Sequence, residues 1–183
     1  GGYRIQTGLN GAVTERGRDH RDVFTTYSDD GTTWAAPVRV NGEAAIYDDW
    51  LPEVAVAGNG SVYVEWYDWR DVAPGFCAGA SMTYLSRSAD NAASWPDGSP
   101  VSTELSYWTT AYSNIAPNQG DYCSLFANQN AVYASWSDGR NNDPDVFMAT
   151  VGLGPQASLV SVYADSALVR IIWQTDPGAS LLA

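Results

Sequence analysis

Apolar and polar positions alternate in short runs along most of this chain. In the segment Ser61–Asp68, "SVYVEWYD", Val62, Val64 and Trp66 fall on one face and Tyr63, Glu65 and Tyr67 on the other, the period of two that marks a β-strand. The apolar face is expected to pack against a neighbouring sheet. No stretch sustains the period of a helix, and the aromatic residues are mostly Trp and Tyr, both of which fit a pleated strand surface. Seventeen glycines and nine prolines interrupt these runs at short intervals. The pattern predicts an all-β chain of short antiparallel strands joined by tight turns.

The strands repeat. Asp48–Arg70, "DDWLPEVAVAGNGSVYVEWYDWR", aligns without a gap with Asn118–Arg140, "NQGDYCSLFANQNAVYASWSDGR", at an offset of 70 residues, and both end in Trp-x-Asp-x-Arg. A fainter copy, Ile5–Arg21, aligns with Val54–Arg70 at an offset of 49 and keeps the Asn-Gly and Asp-x-Arg features, with Gly17 in place of the Trp. A further strand follows each Asp-x-Arg, from Asp22, Met82 and Asp145. Asn10-Gly11 and Asn59-Gly60 reach positive φ at low cost, so each predicts a two-residue hairpin turn, and Asn128–Asn130 takes the same place in the third copy. Each copy reads strand, tight turn, strand, loop, strand.

The third and fourth strands are linked by the most specific motif in the chain. Tyr27–Trp34, "YSDDGTTW", and Ser88–Trp95, "SADNAASW", fit the pattern Ser/Thr-x-Asp-x-Gly-x-Thr-Trp, with Tyr27 at the Ser position of the first and Ala92 at the Gly position of the second. In this reading Asp29 and Asp90 accept backbone N–H bonds inside the turn and Gly31 supplies a positive φ. Thr33, Ser88 and Ser94 fill the hydroxyl positions, and Trp34 and Trp95 pin the hairpin to the sheet. A turn repeated from copy to copy is architecture and not unique chemistry.

On these residues the chain resembles the BNR/Asp-box repeat proteins of the sialidase superfamily. Asp48–Asp71, followed by "GDYCSLFANQNAVYASWSDGRNNDPDVFMATV", is similar to the closing blades of bacterial sialidase-like proteins, and the resemblance covers about residues 3–151. It implies a partial β-propeller of about three four-stranded antiparallel blades, from a fold of six or seven blades when complete. The chain is therefore expected to be the C-terminal part of a longer protein, whose remaining blades would cover its two end sheets. Residues 152–156 form a Gly/Pro linker. Beyond it, 157–183 predicts two strands, Leu159–Tyr163 and Leu168–Trp173, around an Asp-Ser turn. They resemble the beginning of a fibronectin-like β-sandwich, with closing strands of the propeller as the alternative.

Charge narrows the partners. The formal net charge is −12, which repels phosphate backbones and anionic lipid, so neither nucleic acid nor a membrane surface is expected. No apolar run approaches the roughly 20 residues that span a bilayer. Such an acidic surface suits life outside the cell, and the resemblance implies a secreted or cell-surface bacterial protein. Cys77 and Cys123 form one disulfide in an oxidising compartment, or else stay as two buried thiols. A lone His20 argues against a His-based zinc site. Asn141, Asn142, Asp143 and Asp145 are spaced too closely for a recognised calcium loop and are expected to cap a turn, so no cofactor is implied.

The sialidase resemblance implies an arginine triad on the substrate carboxylate, an Asp acid/base and a Tyr nucleophile polarised by a Glu. Only Arg4, in "GYRIQ", is similar to the family's opening motif, and it carries Gln6 at the Pro position and lies in the wrong copy. No catalytic set is assigned. Arg21, Arg70 and Arg140, each two positions after an Asp, are expected to be ion pairs or loop anchors. Arg70 is the strongest ligand candidate of the three, because it lies beside Trp69 and before a longer loop. In the second long loop Tyr107, Trp108 and Tyr112 offer a candidate platform on which sugar rings could stack. Two functions remain: a segment that binds glycans or cell-surface polymers, or the C-terminal part of an exo-α-sialidase or related glycoside hydrolase whose other catalytic residues lie upstream.

Overall fold

A computed structural model describes residues 21–42, 47–72, 79–108 and 122–154 in full, and 157–164 and 169–175 by their backbone. Every described element is a strand, and every pairing is antiparallel. No helix among the described residues is long and apolar enough to cross a membrane.

The second copy folds as the fullest sheet. Strands β3 (Asp49–Val56), β4 (Val62–Asp68), β5 (Ala80–Ser88) and β6 (Ser99–Pro100) follow one another in sequence order, and β7 (Ser106–Tyr107) also pairs with β5. The first copy contributes β1 (Phe24–Thr25) and β2 (Val38–Arg39), and the third β8 (Ser124–Ala127), β9 (Ala131–Asp138) and β10 (Asp145–Gly152). Farther along the chain β11 (Ala157–Ala164) and β12 (Val169–Thr175) pair as a hairpin; β11 extends beyond the expected Leu159–Tyr163 at both ends, whereas β12 starts one residue later and ends two later than the expected Leu168–Trp173. These are sheets of two to five strands.

Local chemistry sets the turns. Gly60 N donates to Ala57 O at 2.9 Å and Ala57 N to Ser61 O at 2.9 Å, with Gly60 at φ +84°, so the β3–β4 turn has three loop residues and not two. Gly58 explains the extra residue. Its N–H donates to Asn128 O at 3.0 Å, and a Cβ there would meet the Gln129 backbone, so the tip is fitted against the neighbouring sheet. Strand β3 breaks its register between Trp50 and Glu53, where Leu51 takes φ +50°. Pro52 is tolerated inside that bulge because β3 lies at the edge of its sheet.

The two Asp-box turns sit at the same end of the sheets. In the second box Asp90 Oδ1 accepts from Ser88 Oγ at 2.6 Å and from Ser94 N at 3.0 Å, and the Ser94 hydroxyl donates to Oδ2. Ala92, at the Gly position, takes φ +65°, a conformation that costs an L-residue strain. Trp95 Nε1 donates to Thr25 Oγ1 at 3.0 Å, so this box pins the second sheet to the first.

The first box departs from the alignment. Asp30, and not Asp29, is the capping carboxylate: its Oδ1 accepts from Ser28 Oγ at 3.0 Å, Thr32 N at 2.7 Å and Thr33 N at 2.6 Å. Ser28, and not Tyr27, is the hydroxyl residue, and it accepts Gly31 N at 2.8 Å. The turn is one residue shorter than the pattern, which moves both roles one position along the chain. Gly31 supplies the positive φ as expected, at +72°. Trp34 does not pin the hairpin. It is 61% exposed, because the surface equivalent to Trp95's would belong to a sheet before β1, and the described residues hold none.

Strand β4 is buried on both faces, and this corrects the simple reading of its alternation. Val64 and Trp66 pack with Val23, Val40 and Tyr84 against the first sheet. Tyr63 and Tyr67 pack with Leu125, Val132, Ala134 and Trp136 against the third. Glu65, on the same face as the two tyrosines, is fully buried. Tyr67 bridges the sheets directly, its hydroxyl donating to Ser137 O at 2.9 Å and accepting Ser137 N at 2.9 Å. A tyrosine can be both packing and polar tip, so a face that reads as polar in sequence closes an intersheet seam.

Candidate functional site

The registers place one set of chain ends together. Asp49 pairs with Asp68, Asp68 with Met82, and Ala80 with Tyr107, while in the third sheet Asp138 pairs with Asp145. The Trp-x-Asp-x-Arg turns, Trp50, Trp69 and Tyr107 therefore lie at the end opposite the Asp boxes. The connections between β4 and β5 and between β7 and β8 start and finish at this end, the usual place for ligand contacts on a rigid sheet scaffold.

The Trp-x-Asp-x-Arg unit has one geometry in two copies. Trp66 Nε1 donates to Asp68 Oδ2 at 2.9 Å, and Trp136 Nε1 to Asp138 Oδ2 at 3.0 Å. Arg70 N donates to Asp68 Oδ1 at 2.7 Å, and Arg140 N to Asp138 Oδ1 at 2.9 Å. Each guanidinium then returns to the second carboxylate oxygen, at 2.8 Å from Arg70 and 2.6 Å from Arg140. Each also lies over an aromatic ring of the next strand, Tyr84 at 4.2 Å and Phe147 at 4.3 Å from the ring centroid. Burial pushes the Asp138 carboxyl up, but the Arg140 guanidinium, the Trp136 N–H and the Arg140 N–H together hold it below the ordinary carboxylate value.

These contacts decide the roles of the arginines. Arg70 spends its remaining reach on Asp97 at 2.7 Å, and Arg140 on Thr103 Oγ1 at 3.0 Å. Arg70, the strongest ligand candidate in the sequence, is engaged by Asp68, Asp97 and the Tyr84 ring, the contacts expected of a loop anchor. Arg21 holds Asp48 at 3.6 Å and lies 4.7 Å over Trp50. Its sequence partner Asp19, like Arg4, lies outside the described residues.

The aromatic candidates divide. Trp69 is partly buried and meets Trp50 edge-on at 5.7 Å. Trp108 is a core residue, its Nε1 donating to Ser81 Oγ at 3.0 Å and its ring edge-on to Tyr67 at 5.8 Å, so it offers no face to a ligand. Its spacing in an aromatic loop resembled a platform because nothing local distinguishes a ring turned inward. Tyr107, next in the chain, is 41% exposed. Tyr112 lies outside the described residues, as does Cys77, the expected partner of Cys123. Cys123 carries a free thiol that donates to Leu51 O at 3.0 Å, and burial pushes it up to about 12.

Asn141 Nδ2 donates to Asp145 Oδ2 at 2.8 Å and Asn142 takes φ +65°, so these side chains serve their turn. Among the described residues no group of three or more His, Cys, Asp or Glu is arranged to hold a metal. Asn41 escaped the sequence reading, and Glu65 stood there only as a member of a polar strand face. Asn41 accepts Val23 N at 2.8 Å and donates to Asp22 and Asp49 at 2.9 Å each, tying the first sheet to β3. Glu65 could have been found from its place opposite Glu53 in the β3–β4 alignment. No family model, no curated protein and no solved structure matches the chain.

Proposed function

We propose that this chain is a segment of a secreted, bacterial Asp-box propeller that binds glycans or surface polysaccharide at the end of its sheets that carries Tyr107. The observation that carries this reading is the doubled Trp-x-Asp-x-Arg unit. Its arginines are bound internally, so they build a rigid rim, and recognition is left to the loops that rise from it. Tyr107 supplies an accessible aromatic face at that rim, the kind of surface on which the C–H face of a sugar stacks.

Support for a repeating ring comes from the end sheets. The face of the third sheet that points away from the second carries Phe126 stacked on Tyr133, and beside them Met148 and Val146, the last 82% exposed. The corresponding face of the second sheet is the one that packs on the third. A further sheet of the same repeat would cover this apolar surface.

The test is oligosaccharide binding to the immobilised protein, with neutral and sialylated glycans presented side by side. Tyr107→Ala is expected to weaken binding at least tenfold with the fold intact. Failure of the wild-type protein to retain any glycan, or equal binding by the variant, contradicts the assignment.

A further inference from the structure

Glu65 is fully buried at the centre of β4, in the seam between the second and third sheets, and neither carboxyl oxygen completes a hydrogen bond. No cation faces it. Across the strand pair stands Glu53, on β3, and on β5 its opposite neighbour is Leu85. Tyr63 and Tyr67 flank it on its own strand. Arg87, opposite Tyr63, is exposed and turned to Ser61 Oγ at 3.0 Å. From the residue before β8 comes the Cys123 thiol, already donating to Leu51 O, and Asp138, which bears on the neighbouring Tyr67, is held by Arg140. Two carboxylates directly opposed on adjacent strands repel, and a buried charge without a partner is costly, so both facts favour a proton on Glu65.

We propose that Glu65 is a proton-operated clamp on this seam: protonated, it lets the second and third sheets close over it, and ionised, it loosens them. The cause is physical and local. Burial, with the Glu53 carboxylate adding to it, pushes Glu65 up to about 8; the Cys123 thiol and Ser124 N–H lie near enough to offset a part of it, but neither completes a bond to the carboxyl. Burial likewise pushes Cys123 up to about 12 and raises the Tyr67 phenol, so neither competes as the titrating group near neutrality.

The sign follows from linkage. A carboxyl raised in the folded state binds its proton more tightly there than in the unfolded chain. Its contribution is complete below the ordinary carboxylate value of 4.5, falls as pH rises, and is gone above about 8. Glu65→Gln keeps the shape and removes the titration.

Denaturant unfolding of the wild type and of Glu65→Gln should be compared from pH 5 to 9.5. The ratio of wild-type to variant unfolding constants is expected to rise by up to about tenfold per pH unit and to level off above pH 8. Parallel curves for the two proteins overturn the proposal. Should Glu65→Gln fail to fold, hydrogen exchange in the wild type serves instead, after correction for the intrinsic pH dependence of exchange. The Ser137 amide, bonded to the Tyr67 hydroxyl across the seam, is expected to lose protection between pH 6 and 9, while the β4–β5 amides keep theirs. Unchanged Ser137 protection over that range also overturns it.

Discussion

Asp68 and Arg70 are joined through both carboxylate oxygens, by the Arg70 backbone N at 2.7 Å, Nε at 2.9 Å and Nη2 at 2.8 Å. A loop of the same kind recurs 70 residues later between Asp138 and Arg140, closed by the Arg140 backbone N at 2.9 Å and Nη2 at 2.6 Å without a bond from Nε. Asp68 and Asp138 are fully buried, so each carboxylate depends on its arginine for the charge that made burial tolerable. Asp138→Asn is therefore expected to destabilise the protein by roughly 2–4 kcal/mol, since it leaves the Arg140 guanidinium unpaired. Equilibrium unfolding measures this.

Because the Asp138 carboxyl lies below its ordinary value when folded, its stabilisation is present above about pH 4 and is lost as pH falls through the folded value. Acid unfolding of the wild type should begin below pH 4, and Asp138→Asn should flatten that limb. The Glu65 dependence runs the opposite way, so the two carboxylates predict greatest stability on the acidic side of neutrality.

The first Asp box yields a paired prediction. Asp30→Ala should lower the melting temperature, because three hydrogen bonds to one carboxylate oxygen are lost, whereas Asp29→Ala should leave it nearly unchanged. Backbone bonds from Thr33 and Thr32 and the Ser28 hydroxyl hold Asp30 down to about 2, so the turn should persist until strongly acid pH. Equal effects of the two substitutions would contradict the assignment.

Ala92 stands where a glycine would be unstrained. Ala92→Gly is expected to stabilise the protein by about 1 kcal/mol, and Gly31→Ala, at φ +72°, to cost about 1–2 kcal/mol. Thermal unfolding of both variants checks the pair. Gly98 has a different reason to be glycine: a Cβ there would collide with the Trp66 ring, so Gly98→Ala should destabilise by about 1–3 kcal/mol.

Much of this was legible in the chain and some was not. The repeat, the strand class and the second Asp box follow from local periodicity and turn chemistry, which act within a few residues of their cause. The first box misled because two adjacent aspartates, Asp29 and Asp30, satisfy the same pattern in different registers, and only the hydrogen bonds choose between them. Burial of Tyr63, Glu65 and Tyr67, and the inward turn of Trp108, are set by a neighbouring sheet 70 residues away in sequence for Tyr67 and Ser137, which no local pattern encodes. Arg70 looked available beside Trp69, but its ring contact with Tyr84 and its bond to Asp97 come from other strands and turns.

If the Asp-x-Arg arginines anchor the rim and leave the proposed glycan contact to the loops, Arg70→Ala separates the two roles when unfolding and glycan binding are measured on one preparation. The expected result is a stability loss of roughly 2–3 kcal/mol from the stranded Asp68 carboxylate, with glycan affinity of the folded protein within about threefold of wild type. Unchanged stability together with abolished binding would contradict it.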